Sequence, residues 1–135
     1  MLVNSAIEPL TEAECRELLA GEQIGRVGLS VGALPAIFPV NYRVIDGDIF
    51  FRTGDGSKRR AALQGGVVGF EVDRIDPETA TGWSVLAVGV AREVRPDDAA
   101  GPDYDGIVPW PGGDRSHLIR IHPEMVSGRR IPPAV

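Results

Sequence analysis

Cysteine and histidine are scarce in this chain of 135 residues, which has one cysteine, Cys15, and two histidines, His117 and His122. A single thiol forms no intrachain disulfide and provides no thiolate pair for zinc or an iron–sulfur cluster. The two histidines lie in one predicted strand and the cysteine on a predicted helix, so no Ser-His-Asp or Cys-His nucleophilic set is formed. We therefore expect no metal site, no catalytic nucleophile and no hydrolase chemistry.

Long apolar runs and an excess of basic residues are also missing. No stretch approaches the roughly 18 uninterrupted apolar residues that a membrane span requires. Acidic residues at Glu8, Glu12 and Glu14 stand where a signal peptide would be basic and then apolar. The net charge of −5 should repel phosphate backbones and anionic lipids. These features predict a cytoplasmic protein with no nucleic-acid and no membrane partner.

Glycine and proline are plentiful, with 17 and 11 residues, and they favour short strands joined by tight turns over a helical bundle. Apolar alternation predicts strands over residues 24–31, 34–45, 48–53, 67–72, 82–94 and 116–122, with long loops at 73–81 and 96–114. A chain of this length is expected to be one domain, residues 1–135. The pattern predicts a mainly β fold, an antiparallel β-barrel with short peripheral α-helices, and a sandwich of similar size also fits.

Two helices are predicted, over residues 11–20 and 57–63. Thr11 and Glu14 have the spacing of a capping box, and Gly21 stands where a left-handed residue would end the first helix. Ser57 is placed to open the second helix, and Gly65-Gly66 to end it.

The strand predicted over 82–94 consists mostly of small apolar residues, including the run 85–90. A strand with so few polar side chains should be covered on both faces, by the core on one side and by a second subunit on the other. The sequence therefore predicts a homodimer.

Basic residues cluster at one point of this acidic chain. Four of the 14 cations fall within nine residues, at Arg52, Lys58, Arg59 and Arg60, and Lys58 is the only lysine. They surround the turn from Thr53 to Ser57, where a strand passes through glycines into a helix. Hydroxyls, helix-start N–H groups and cations suit a phosphate. A solvated basic helix face is the alternative, because neither the Walker spacing nor the Rossmann glycine pattern is present.

A second candidate is the segment Pro39-Val40-Asn41-Tyr42, whose alternation turns Asn41 away from the core side chains beside it. Proline cannot donate to a ladder, so Pro39 indicates an edge, a bulge or a place where something other than a strand lies alongside. Exposed main chain at this point could meet the edge of a flat heteroaromatic ligand, or the segment could be a bulged edge strand.

Two tryptophans complete the candidates. Trp83, followed by Ser84, begins the long apolar strand, where a tryptophan commonly belongs to the rim of the core. Trp110 lies between prolines in a long loop with little core to fill, so it could cover a ligand or a partner subunit.

These pieces together resemble the pyridoxamine 5′-phosphate oxidase-like proteins. Phe50-Phe51-Arg52-Thr53, Gly56-Ser57-Lys58 and Ala61-Ala62-Leu63 resemble the segment that binds the flavin phosphate in that family. Residues 24–29 with 36–42 resemble its opening hairpin, 68–72 its next strand, and 83–89 its dimer-interface strand. Pro109-Trp110, Ile121-His122-Pro123-Glu124 and Ser127-Gly128-Arg129 resemble the end of a small bacterial subgroup that includes nitroimidazole-resistance-type proteins. The resemblance covers residues 10–131.

The resemblance implies a split β-barrel homodimer that binds flavin mononucleotide (FMN) in two sites between the subunits. Thr53, Ser57 and Lys58, with Arg52, would hold the phosphate. The ring would lie against Pro39, Val40, Asn41 and Tyr42, with Trp83 and Ser84 approaching from neighbouring strands or from the partner, and Trp110 joins the cofactor-binding set.

The activity implied is an oxidoreductase that moves a hydride or electrons from a reduced nicotinamide to a small oxidised acceptor. Alternatives are a deazaflavin-dependent reductase, a flavin-binding protein without turnover, and a barrel whose pocket has decayed. A haem would need His117 or His122 as axial ligand and ranks third, behind FMN and the deazaflavin. Oxidation of vitamin B6 is not expected, because the C-terminal arginine-containing substrate segment of the true oxidases is not found in this chain.

Overall fold

The elements of the fold follow the apolar alternation and the turn residues of the sequence. A computed structural model describes residues 7–54, 57–99, 101–108 and 117–133. Its strands are β1 Glu8–Pro9, β2 Ile24–Val31, β3 Leu34–Ile45, β4 Asp48–Thr53, β5 Val67–Asp76, β6 Thr81–Glu93 and β7 His117–Ile131. Its helices are α1 Glu12–Ala20, α2 Ser57–Ala62 and α3 Pro102–Asp105, with a 3-10 turn at Pro96–Asp98.

The sheet closes on itself. The described strands are all paired antiparallel in the order β1-β7-β4-β3-β2-β5-β6, and β6 also pairs with β7. This last pairing confirms the predicted barrel, and the sandwich alternative is wrong. The ring is incomplete along β3, because β2 pairs with all of residues 34–41 whereas β4 pairs only with residues 42–45. We call residues 34–41 the open edge of β3.

The core lies inside this ring and buries the inward-facing side chains of the strands together with one face of α1. Phe70 packs edge-to-face against Tyr42, with ring centroids 4.8 Å apart. A second apolar cluster lies on the opposite face of β4, where Phe50 packs with Ile107 and Leu118. Phe50 and Phe51 point to opposite faces of β4, and both are buried because the segment that contains α3 covers the outer one.

Three predicted boundaries are wrong. β5 continues to Asp76 and β6 begins at Thr81, so the loop predicted at 73–81 is only a short turn. The loop predicted at 96–114 contains α3 and the 3-10 turn. β7 continues to Ile131 instead of ending at residue 122. Pro123 lies opposite Gly89 at a register shift, where a missing N–H is tolerated. Because proline usually ends a strand, the sequence pattern did not predict that β7 continues beyond it.

The start of α1 is as predicted, whereas its end differs. The Glu14 N–H donates to Thr11 Oγ1 at 3.1 Å, and the Thr11 N–H donates to Glu14 Oε1 at 2.9 Å, which completes the capping box. Gly21 has φ −91°, in the right-handed region, so the predicted left-handed cap is wrong. In the described part of the chain, no helix has the length and apolar composition to cross a membrane.

An ion cluster lies on the face of the sheet turned away from the core, which we call the outer face. Arg26 on β2 lies 3.3 Å from Glu71 Oε1 and 3.6 Å from Asp73 Oδ2, both on β5. Partial burial, together with the hydrogen bond and negative charge of Asp73, raises the pKa of Glu71 to about 7, and Arg26 only partly opposes this shift. Near neutral pH, Glu71 therefore holds a proton that an exposed glutamate would have lost.

This proton makes the stability of the fold pH-dependent. Between pH 4.5, the ordinary pKa of glutamate, and about pH 7, the folded chain binds more protons at Glu71 than the unfolded chain, so stability should fall as pH rises. Glu71→Gln should remove this decline, a difference on the order of 1 kcal/mol after solvent screening. Urea unfolding at pH 5 and pH 8 measures it. Glu78→Gln, in the exposed β5–β6 turn, is the control, and equal pH slopes for wild type and Glu71→Gln would refute the assignment.

Candidate functional site

The open edge of β3 carries main-chain groups that no described strand pairs. The Tyr42 N–H donates to the Gln23 carbonyl at 3.0 Å, so the even-numbered residues of β3 turn their N–H and C=O groups toward β2. Odd-numbered residues turn theirs the other way. Pro35 and Pro39 therefore point their missing N–H away from β2, and the groups exposed along this edge include the carbonyls of Pro35, Ile37 and Pro39 and the N–H of Ile37. This is the edge that Pro39 predicted.

The cationic segment, residues 52–60, begins at the end of β4 and runs into α2. Thr53 is buried and lies opposite His117 in the β4–β7 ladder. Ser57 and Lys58 form the first turn of α2. Their side chains lie outside the described part, as do residues 55 and 56. Leu63, just after α2, is fully buried and fixes the helix against the core.

The four clustered cations have different surroundings. The Arg52 Nη2 donates to the Tyr104 carbonyl at 2.9 Å. Arg60 pairs with Glu93, with Nε 2.9 Å from Oε1. The Arg59 guanidinium lies over the Phe38 ring, 4.2 Å from its centroid, and so stands beside the open edge of β3. Arg59 is absent from the predicted cofactor-binding set, although its place in the charge cluster was a signal for it.

Glu93 ties α2 to the ends of β6 and β7. Its Oε2 lies 2.8 Å from His117 Nδ1, and its N–H donates to the Gln64 Oε1 at 2.8 Å. Burial alone would raise the pKa of Glu93, but hydrogen bonds from Arg60 and His117 lower it below the ordinary value. Glu93 therefore stays ionised, and this group of side chains holds α2 against the strand end at Thr53.

The ring-facing candidates on β3 divide between the core and the surface. Val40 and Tyr42 are buried among the core side chains. The Tyr42 hydroxyl donates to the Leu19 carbonyl, and burial, with the nearby Glu22 charge, raises the pKa of Tyr42, so the hydroxyl stays protonated. Asn41 points outward and is partly buried, and its Nδ2 donates to the Val108 carbonyl at 3.1 Å. A ligand on the outer face therefore meets the Asn41 side chain and β3 main chain.

A cleft of about 630 Å³ adjoins this stretch. We call it the β3 cleft. Its walls are the end of α1, residues 41–44 of β3 and the segment 106–108. The segment that includes α3 lies over β3 and β4 and is held at three carbonyls by Asn41, Arg43 and Arg52. Trp110, two residues beyond this segment, lies outside the described residues.

Trp83 and Ser84 lie far from the cationic segment within one chain. Trp83 is 8% exposed and belongs to the core, and Ser84 is on the outer face. Ser84 pairs with Arg129 and Thr53 pairs with His117, which are twelve residues apart along β7. At the rise of a strand, twelve residues span roughly 40 Å measured along the chain. Within one chain, Trp83 and Ser84 therefore do not adjoin the cationic segment.

Comparisons with known proteins agree on the family. The family model described as pyridoxamine 5′-phosphate oxidase matches residues 11–130. The uncharacterized protein Rv0080 of Mycobacterium tuberculosis is 39% identical over 127 residues, which cover 90% of this chain and 84% of that protein.

Two solved structures are also similar. A FAD binding protein from Mycobacterium smegmatis is 33% identical with a TM-score of 0.72, and the match covers 94% of this chain and 100% of that one. A conserved protein of unknown function from Corynebacterium diphtheriae is 30% identical with a TM-score of 0.75, covering 93% and 98%. The resemblance drawn from the sequence motifs is confirmed.

Proposed function

This chain belongs to the pyridoxamine 5′-phosphate oxidase family, and from that membership we propose that it is a flavin-binding oxidoreductase that acts as a homodimer. The cofactor proposed is FMN, and the substrate is a small oxidised acceptor. The observation that carries the proposal is the meeting of two features. A basic strand-to-helix turn, suited to a phosphate, adjoins an open strand edge interrupted by prolines, suited to a flat ring.

The residues at this meeting point fit a flavin. Arg59, over Phe38, places a cation beside the open edge, and no described carboxylate lies within ion-pair distance of it. The carbonyls of Pro35, Ile37 and Pro39 would accept hydrogen bonds from donors on a ring, and the Ile37 N–H would donate one. Pro35 and Pro39 also keep another strand from pairing along this edge, since each removes a ladder hydrogen bond.

The protein's contribution is binding and orientation. A bound flavin would supply the hydride or electron transfer. The cationic segment would hold the phosphate, and β3 would align the ring. It also places the β3 cleft at the end of the ring-facing stretch, where a substrate can approach. The Tyr42 hydroxyl donates to the Leu19 carbonyl, which fixes its position beside the β3 cleft.

The outer face supports the dimer. Ile37, Gly28, Gly69, Val88 and Met125 are successive register partners across β3, β2, β5, β6 and β7, and together we call them the outer row. Ile37 is 75% exposed and Met125 68%, with Val67 and Leu86 beside the row also exposed. An apolar band of this extent across five strands is typical of a surface that another subunit covers.

FAD is the second cofactor candidate, favoured by the 33% identity to the FAD binding protein from Mycobacterium smegmatis. FMN is placed first because the cationic segment accounts for one phosphate group. Absorption spectra after addition of either flavin and gel filtration would test both. Retention of about one flavin per subunit supports the proposal, and retention of neither contradicts it.

Lys58→Ala tests the phosphate site. Loss of one charge-assisted contact costs about 1.5–3 kcal/mol, which corresponds to a Kd for FMN that is roughly 10- to 150-fold higher. Fluorescence titration of the flavin measures it. Arg16→Ala removes a cation on α1 that is paired with Glu12, and it should leave the Kd unchanged. An unchanged Kd for FMN in Lys58→Ala would show that this segment does not bind the phosphate.

Turnover is tested separately from binding. A reduced nicotinamide added without oxygen should bleach the absorption of the bound flavin if the protein is an oxidoreductase. A flavin that binds tightly but is not reduced by nicotinamides or other donors would favour a flavin-binding protein without turnover.

A further inference from the structure

Arg43 is a cation in the wall of the β3 cleft without a carboxylate to neutralise it in the described chain. Its Nη1 donates to the Asp103 main-chain carbonyl at 3.0 Å, which is a neutral acceptor. By contrast, Arg26, Arg60 and Arg74 each pair with a glutamate. An arginine fork offers five N–H donors, so one bond to a carbonyl leaves most of its capacity available to a ligand.

Arg43 is exposed, so its guanidinium is accessible to a ligand, and Gly106 packs against one side of it. Gly106, in the wall opposite, comes so close that a Cβ on it would lie 2.9 Å from Arg43 Nη2. A side chain at this position would push the flexible end of Arg43 away from where it lies. The other charged group of the cleft is Glu22, and its Oε2 lies 2.7 Å from the Arg74 Nε, so its charge is already paired. Arg43 therefore provides the unpaired charge of the described lining.

The cleft also has the size and position of a ligand site. Its volume of about 630 Å³ lies within the range of small-molecule pockets. Asn41 and Tyr42 belong both to the cleft and to the β3 stretch assigned to the flavin ring. Whatever occupies the cleft therefore lies next to the ring.

We propose that the β3 cleft binds an anionic group through Arg43, beside the flavin ring. The inference rests on the proposed function for its position and on the cleft geometry for its chemistry. Two sources offer the same chemistry, a carboxylate or phosphate on the substrate, or the diphosphate of a flavin dinucleotide that continues from the ring into the cleft. A planar fork binds either group through paired charge-assisted hydrogen bonds.

The test uses the full chain and four probes: FMN, FAD, benzoate and its neutral analogue benzamide. Arg43→Gln removes the charge and keeps a donor for the Asp103 carbonyl. Arg43→Lys retains the charge. Gly106→Ala retains the charge but displaces the guanidinium, and it suits the backbone because Gly106 has φ −80°. Unfolding curves establish that each variant is folded.

Two results support the proposal and separate the sources. If Arg43→Gln and Gly106→Ala raise the Kd for FAD about tenfold or more while that for FMN changes less than about twofold, the cleft holds the dinucleotide's diphosphate. In the second result, the variants bind both flavins as wild type does, and wild type binds benzoate better than benzamide. If Arg43→Gln loses this preference and Arg43→Lys keeps it, the anion belongs to the substrate.

Other results overturn it. Equal binding of every probe by wild type and Arg43→Gln would show that the charge binds nothing. If Arg43→Gln weakens the binding of FMN, FAD and benzamide equally, Arg43 is a structural residue that holds α3 in place. The benzoate preference is measured with and without flavin, so a chain that keeps it but binds no flavin refutes the proposed function and leaves the cleft assignment standing.

Discussion

Val88→Asp is expected to convert the proposed dimer into a monomer that has lost its flavin. Val88 lies in the outer row, between Gly69 and Met125. A second subunit covering this row would bury the new carboxylate among apolar groups. An unpaired buried charge costs several kcal/mol, and a symmetric interface receives two of them. Light scattering at micromolar concentration should show the chain mass of 14.4 kDa instead of twice that value.

The flavin result makes this experiment specific. Val88 lies outside the cationic segment and outside the β3 cleft, so within one chain it has no reason to affect a flavin. Loss of flavin together with the dimer would show that the sites are shared between subunits. Ala13→Asp adds the same charge on the exposed face of α1 and should leave the mass and flavin content unchanged. If the wild-type protein is itself monomeric, both the proposed interface and the proposed shared site are refuted.

Gly89→Ala is expected to cause a large loss of stability. A Cβ on Gly89 would overlap the His122 carbonyl oxygen and lie 2.8 Å from its carbon and 3.2 Å from Pro123 Cα. These are main-chain atoms that cannot rotate away, so β6 and β7 would have to separate where their pairing closes the barrel. We expect a loss of about 3 kcal/mol or more, the upper end of the cost of overpacking.

Urea unfolding measures this loss, with Gly21→Ala as the matched control. A Cβ on Gly21 meets carbonyl oxygens at 3.6 Å, an ordinary distance, and its φ of −91° suits alanine. Gly21→Ala should therefore unfold close to wild type. A Gly89→Ala protein as stable as that control would mean that the two strands are not in the close approach described.

Local patterns in the sequence determined the elements whose hydrogen bonds join near neighbours. The bounds of β2, β3 and β4 and the capping box at Thr11 are as predicted, because alternation, the Asp46-Gly47 turn and a three-residue spacing act over a few residues. The clustering of Arg52, Lys58, Arg59 and Arg60 is also visible in the sequence. The family followed from the order of such segments along the chain.

Only the tertiary structure decided which groups those elements bring together. Arg60 is neutralised by Glu93, 33 residues away, and Arg52 and Arg43 are engaged by carbonyls 52 and 60 residues away. The full length of β7 depends on pairing with β6 and on a register shift that accommodates Pro123. Ion pairs, ladder closure and the β3 cleft arise between distant segments that meet only when the barrel closes, whereas periodicity and spacing describe each segment alone.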